Sequence, residues 1–262
     1  MTGASTTGGL ALMAGLVWSA PAAAGEAGQQ GEGWSASAAW RPTLRRAYIF
    51  YGDHTDQIPL YALVAGEDPV EGSGVANAVT ELGRFEAHVN YGLGDGLKLT
   101  AGVLGGPFEF ALVPDGQVYA GTDWNVDVGG TIGRRFNDDF RFETTMLGRV
   151  RAWDLDGLPL HGNVGIVLGV KPEYKGMSLY VEATLAAVWL TGLTDWGAQK
   201  DSSILRIRPE YTWHTHGFAL SAGLDYYHTH TEFFGSKLIE GQDAFMLDDF
   251  ELALALGVGR KF

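Results

Sequence analysis

Charged residues spaced two apart give the first chemical hint. Arg149 and Arg151 form one such pair, Arg206 and Arg208 another, and Asp123, Asp127, Glu182, Glu210 and Asp225 keep the parity of the same face in their own segments. In an extended chain alternate side chains share a face. A face of this kind can line a hydrated constriction with a transverse field, as charged rings do in channels, or it can close as a salt-bridge plug. Gly102, Gly129, Gly165, Gly169, Gly223, Gly257 and Gly259 fall on the same inward parity. They favour the open arrangement by leaving space, although glycine also serves barrel curvature and bulges.

The elements that must position these charges are strands. From Trp34 onward the hydropathy period is two, with turn signals between segments. Phe85, Ala87, Val89, Tyr91 and Leu93 alternate with polar residues or glycine, turn at Gly94–Gly96 and return through Leu97, Leu99, Ala101 and Val103. Three more pairs turn near 137–139, 172–176 and 214–217, and longer loops fall near 52–78, 105–119, 154–161, 191–202 and 229–248. Trp34 to Tyr51 keeps one parity and reads as a single long strand despite Pro42 and an outward Arg46; the rival is two short strands hinged at 41–43. Pro209, which cannot donate to a ladder, is expected to mark a bulge.

These segments predict an all-β chain: a transmembrane antiparallel up-and-down barrel of about ten strands, within a range of about eight to twelve. Short turns then lie on the periplasmic side and long loops outside. A soluble barrel or sandwich shares the alternation, but its large residues would face one another inside. Here the large residues share a face with aromatics near strand ends, opposite a face of glycine, alanine, threonine and charge. Trp40, Tyr91, Phe136, Phe140, Trp213, Phe218 and Phe262 are expected in one aromatic girdle, and Tyr48, Trp124, Trp153, Trp189, Tyr226 and Phe250 in the other. Residues 1–24, with the apolar Leu10–Trp18 run and Ala22-Ala23-Ala24, read as a signal peptide that lacks a basic start; 25–33 form a flexible lead-in and 34–262 the barrel domain.

The last strand, with Phe250, Leu252, Leu254, Leu256 and Val258 alternating before a terminal Phe262, resembles that of Gram-negative outer-membrane β-barrel proteins. The resemblance implies a place in the bacterial outer membrane, in contact with the lipid bilayer and lipopolysaccharide, and the barrel-assembly machinery as a transient partner. Tyr48-Ile49-Phe50-Tyr51-Gly52, followed by Thr55-Asp56 and Pro59, is similar to small porins of the TorF type.

The formal charge of −13 collects on the long loops, through Asp53, Asp56, Glu67, Asp68, Glu71, Glu109, Asp115, Asp154, Asp156, Asp195, Asp201, Glu232, Glu240, Asp243, Asp248 and Asp249. Such a field repels nucleic acid and attracts cations, so divalent cations held loosely at these loops are an expectation, with a solvated acidic rim the blander one. The inward face carries Arg41, Arg45, Arg84, Lys98, Arg135, Arg141, Lys171 and Lys261 besides the pairs above, with Glu86, Glu143 and Glu251 opposing.

Enzymatic readings find less support. Asp154, Asp156, Asp225, His228 and His230 are the residue types used by omptins, ten-stranded outer-membrane proteases, but no omptin motif surrounds them. Ser221 and His88 share a face without a nucleophile elbow. The pairs His214/His216 and His228/His230 have chelating spacing but no third ligand at fixed spacing, and cysteine is absent. No catalytic residue, metal site or cofactor is therefore assigned. The reading is a narrow porin-like channel for ions or small solutes; the alternative is a non-conducting barrel whose acidic loops bind a partner or divalent cation, with an omptin-like protease a remote third.

Overall fold

The computed structural model describes residues 33–51, 83–113, 117–157, 160–187, 197–235, 237, 240–241 and 244–262. The signal segment, the lead-in up to residue 32, the TorF-like residues from Gly52 onward, Trp189 and the loop acids Asp53, Asp56, Glu67, Asp68, Glu71, Asp115, Asp195 and Asp243 lie outside them. The strands are β1 (Gly33–Arg41), β2 (Thr43–Tyr51), β3 (Arg84–Gly94), β4 (Leu97–Val113), β5 (Val118–Arg135), β6 (Phe140–Leu155), β7 (His161–Tyr174), β8 (Met177–Ala187), β9 (Ala198–Thr215), β10 (Phe218–Phe234) and β11 (Ala244–Lys261).

They form one sheet that closes on itself, with β1 paired to β3 on one side and to β11 on the other. β1 and β2 behave as a single wall. Trp40 opposite Leu256 and Thr43 opposite Ala253 keep one register across Pro42, whose carbonyl accepts from the Leu254 N–H at 3.1 Å. The barrel is thus ten-stranded when β1 and β2 count as one wall; the break at Pro42 falls at the 41–43 hinge of the rival reading, while the register with β11 runs through it as the single-strand reading expects. β3 begins only at Arg84. Above that level β2 and β4 meet directly, Tyr48–Phe50 running parallel to Ala111–Val113.

Three short turns use two residues with positive φ: Asp95-Gly96, Lys175-Gly176 and His216-Gly217. That geometry matches the twist of hairpin strands. The fourth is built by Asn137, whose Oδ1 accepts from the N–H groups of Asp139 (2.9 Å) and Phe140 (2.8 Å).

Outward residues form a continuous apolar belt in which Val128 is 61% exposed and Met146 64%. Only a hydrocarbon surround makes such exposure favourable for so many large side chains. Trp34 and Tyr91, Phe136 and Phe140, and Tyr211 and Trp213 pair at the short-turn edge, with Phe218 and Phe262; Trp124, Tyr226 and Phe250 lie at the other. Three expectations change. Trp40 sits opposite Phe85 on the long-loop side; Trp153 points inward and is 1% exposed; Tyr48 is buried.

The long-loop side also holds more strand than the hydropathy indicated. β5, β9 and β11 each run 18 residues, where a tilted crossing needs about 9–11. Glu109, Asp154, Asp201, Glu232, Asp248 and Asp249 are consequently strand residues. Beyond the membrane the outward face need not be apolar, so alternation fades while backbone pairing continues. Pro209 makes no bulge: Gly223 opposite Glu210 and Tyr226 opposite Ile207 keep one register around it, and the irregularities fall at Gly92–Gly94 and Thr231–Phe233.

The belt fixes a prediction. Val128→Arg should cost about 2–4 kcal/mol in the bilayer, whereas Val118→Arg, ten residues further up the same face of β5, should cost about 0–1 kcal/mol, measured by urea titration of protein refolded in lipid.

Candidate functional site

A barrel this narrow brings inward side chains of opposite walls within reach of one another. Arg151 on β6 holds Asp123 on β5 through Nε (3.1 Å) and Nη2 (2.9 Å), and Nη2 also reaches Asp249 on β11 at 3.1 Å. Asp249 accepts Nε of Arg45 on β2 at 2.8 Å, and Arg45 Nη2 reaches back to Asp123 at 2.7 Å. Arg84 spans Asp123 (3.2 Å) and Glu251 (2.5 Å), and Arg41 joins Glu251 (2.8 Å) to Asp225 (3.0 Å). From Asp225 the network passes to Arg206 (2.6 Å), Glu86 (2.9 Å), Arg208 (2.8 Å) and Glu210. Arg149 forms a second knot, forked onto Asp127 with both contacts at 2.7 Å, and touching Glu182 at 2.5 Å.

All nine residues singled out from the sequence therefore lie in one charged layer. Arg41, Arg45, Arg84, Glu86 and Glu251 join it as inward residues. Asp249 had been counted among the loop acids; its parity with Glu251 was the available signal. The heart of the layer is shut off from solvent, with Arg41, Asp123, Arg151, Asp225, Asp249 and Glu251 0% exposed, while Arg208 and Glu210 are half-buried at its lower edge. Several inward glycines answer to close neighbours and not to an open lumen. A Cβ on Gly169 would lie 2.8 Å from Tyr180 Oη, whereas one on Gly129 would collide with the Met146 carbonyl oxygen and one on Gly223 would meet the Pro209 carbonyl oxygen at 2.5 Å, both backbone of the adjacent strand.

Above the layer, toward the long loops, Ala47, Phe108, Trp153, Leu155, Phe233, Phe245 and Leu247 pack into an apolar plug. Phe233 stacks on Phe245 at 4.6 Å between ring centroids. The guanidiniums of Arg45 and Arg151 lie over Phe108 (4.0 Å) and Trp153 (4.7 Å), joining plug to layer. The hydropathy pattern does not show the plug: Phe108, Leu155, Phe233, Phe245 and Leu247 fall in segments that read as loops, Trp153 reads as girdle, and Ala47 is a small residue within the first strand. Below the layer a vestibule of about 320 Å³ opens toward the short turns.

The layer also braces the wall where β3 gives out. Between the Arg41–Arg84 pair and the Tyr48–Ala111 pair, β2 has no strand partner on that side among the described residues. Arg45 and Arg84 both reach Asp123 on β5 there, so side-chain ion pairs cross a gap in the ladder.

No family model matches this sequence, nor does any curated protein. Among solved structures, the outer membrane protease OmpT of Escherichia coli superposes on 90% of this chain and 99% of its own, with a TM-score of 0.50 at 8% identity. The chain has the fold of an outer-membrane β-barrel. The outer membrane channel DcaP of Acinetobacter baumannii (15% identity, 66% of this chain and 52% of that one, TM-score 0.27) and OprD of Pseudomonas aeruginosa (9%, 90% and 97%, 0.24) align too loosely to carry an argument.

The residue types reminiscent of a protease are not assembled. Asp225 faces the lumen, bound to Arg206 and Arg41, whereas His228 and His230 face outward on the same strand and donate to Asp248 at 3.3 and 3.1 Å. Asp154 and Asp156 are exposed. Ser221 and His88 both line the vestibule, but β11 and β1 separate their strands and His88 is bonded to Glu86 at 2.8 Å. His214 and His216 are exposed at the β9–β10 turn.

His230 lies above the girdle residue Tyr226, and its hydrogen bond to Asp248 raises its pKa against partial burial, with Glu232 adding to the rise. A raised value contributes stability below the ordinary imidazole value of 6.5 and loses it as pH climbs through the raised one. NMR titration should place the His230 midpoint above 6.5 in the wild type and lower it in Asp248→Asn. Within the layer, Arg151→Ala should cost about 3–5 kcal/mol in urea unfolding, because Asp123 and Asp249 lose a buried partner. Arg135→Ala, at the exposed β5–β6 turn, should leave the midpoint unmoved.

Proposed function

We propose that this protein is a non-conducting outer-membrane barrel, a rigid anchor that presents long acidic segments at the cell surface to a partner or to divalent cations. The observation carrying this reading is the lumen cross-section at the ion layer, where charged groups from β1, β5, β6, β10 and β11 are 0% exposed beneath an apolar plug. An ion crossing there would have to shed its water and displace charge-assisted hydrogen bonds, which a channel avoids by offering replacement ligands along a wet path. The acidity of the long-loop segments supports cation or partner capture and bridging to lipopolysaccharide. The apolar alternation of Leu252, Leu254, Leu256 and Val258 along β11 supports recognition by the assembly machinery.

A narrow porin-like channel is the second reading, favoured by the vestibule that reaches Arg206 and Arg208 from the short-turn side. Planar-bilayer recording separates the two. The refolded wild type should show no single-channel steps, and a variant with Phe108, Trp153 and Phe233 changed to Gly together with Arg45 and Arg151 changed to Ala should conduct. Regular steps in the wild type, altered when Arg149, Arg151, Arg206 and Arg208 become Ala, would overturn the closed reading in favour of the channel.

A further inference from the structure

The vestibule is asymmetric in a way that neither closure nor anchoring explains. One wall is made of small residues, Ser37 and Ala39 on β1, Ala219 and Ser221 on β10, Gly257 and Gly259 on β11, and their lack of bulk creates the space. The facing wall alternates in sign: Lys98 binds Glu143 at 2.7 Å with Arg141 on the same carboxylate, and Lys171 lies 3.7 Å from Glu210, which Arg208 also holds. Glu173 sits in register with Arg141 at the mouth. Ser178 Oγ, on the same wall and buried, has no hydrogen-bond partner in the protein. Lys171 has the longest of these ion pairs, outside hydrogen-bond range, so its ammonium has bonding capacity left.

We propose that the vestibule binds a small zwitterion of amino-acid size. A volume of about 320 Å³ lies at the lower end of ordinary ligand sites. A wall of alternating sign decides the charge of the guest. A lone anion or cation adds uncompensated charge to a narrow, low-dielectric lumen, and an apolar guest removes water from charged groups without replacing it. A zwitterion does neither. Its carboxylate accepts from Lys171 and Ser178, and its ammonium donates to Glu210 or Glu143. The apolar plug closes the far end of the lumen, so the site is a dead-end pocket, and binding to it is independent of what the long loops capture.

Calorimetric titration of the refolded protein in detergent tests this with four probes: L-serine, the anion N-acetyl-L-serine, the cation L-serinamide, and glycerol. L-serine should bind with millimolar or tighter affinity, and each of the other three at least tenfold more weakly. Lys171→Met should weaken L-serine at least tenfold and Ser221→Leu, which fills the space, should abolish binding, both with unchanged heat-modifiable gel mobility. Should either variant fail to fold, the four-probe series on the wild type, with L-serine-induced NMR shifts at Lys171, Ser178 and Glu210, decides alone. No heat with L-serine, equal affinity for its singly charged analogues, glycerol binding as tightly, or shifts confined to other residues would overturn the proposal.

Discussion

A charge inside a ten-stranded barrel has nowhere to find bulk water, and the structure follows from how that cost is met. Each buried carboxylate of the main network accepts from two or more arginines, and each of those arginines reaches more than one strand. Asp123 alone gathers Arg45, Arg84 and Arg151 from β2, β3 and β6. Isolated buried ion pairs often fail to repay their desolvation. A shared network improves the balance, since one ordered side chain serves several bonds and the low dielectric strengthens them all. A membrane barrel needs this more than a soluble protein does, because its large apolar residues face lipid and the lumen must hold itself together by other means.

The layer divides the lumen into parts with different chemistry. Toward the long loops, where the wall stands above the hydrocarbon, the interior is an aromatic core like that of a soluble protein, and Arg45 and Arg151 lie flat against it. Toward the short turns the side chains of β1, β10 and β11 shrink to serine, alanine and glycine and a polar vestibule opens. The same ion pairs cross the gap left where β3 begins late, so closure of the lumen and closure of the wall depend on one set of contacts.

Much of this was legible in the chain because strand parity is a strict code. One choice of lipid face, made on Leu252, Leu254 and Leu256, places Glu251 inside, and the same rule applied to each segment puts Arg149, Arg151, Arg206 and Arg208 in the lumen. Parity is silent on whether inward charges meet. The glycines Gly169 and Gly223 read as spare volume, yet the Tyr180 ring and the Pro209 carbonyl occupy it, because volume in a barrel belongs to neighbouring strands whose register a sequence does not state. The upper wall was misread for a related reason. Where Glu232 and Asp248 replace apolar outward residues the period-two signal ends, and with it went Asp249 and the inward Phe233, Phe245 and Leu247, although the backbone ladder continues through all of them.

Dry closure and a wet constriction predict different energies for the same pair of side chains. A double-mutant cycle on Arg45 and Asp123, 2.7 Å apart across the lumen, reads that energy directly when unfolding is followed in lipid at low and high salt. A dry, shared network predicts a coupling above about 1.5 kcal/mol that salt hardly changes. A coupling of about 0.2–1 kcal/mol that salt erodes is what a hydrated, surface-like pair gives, and it would contradict the account.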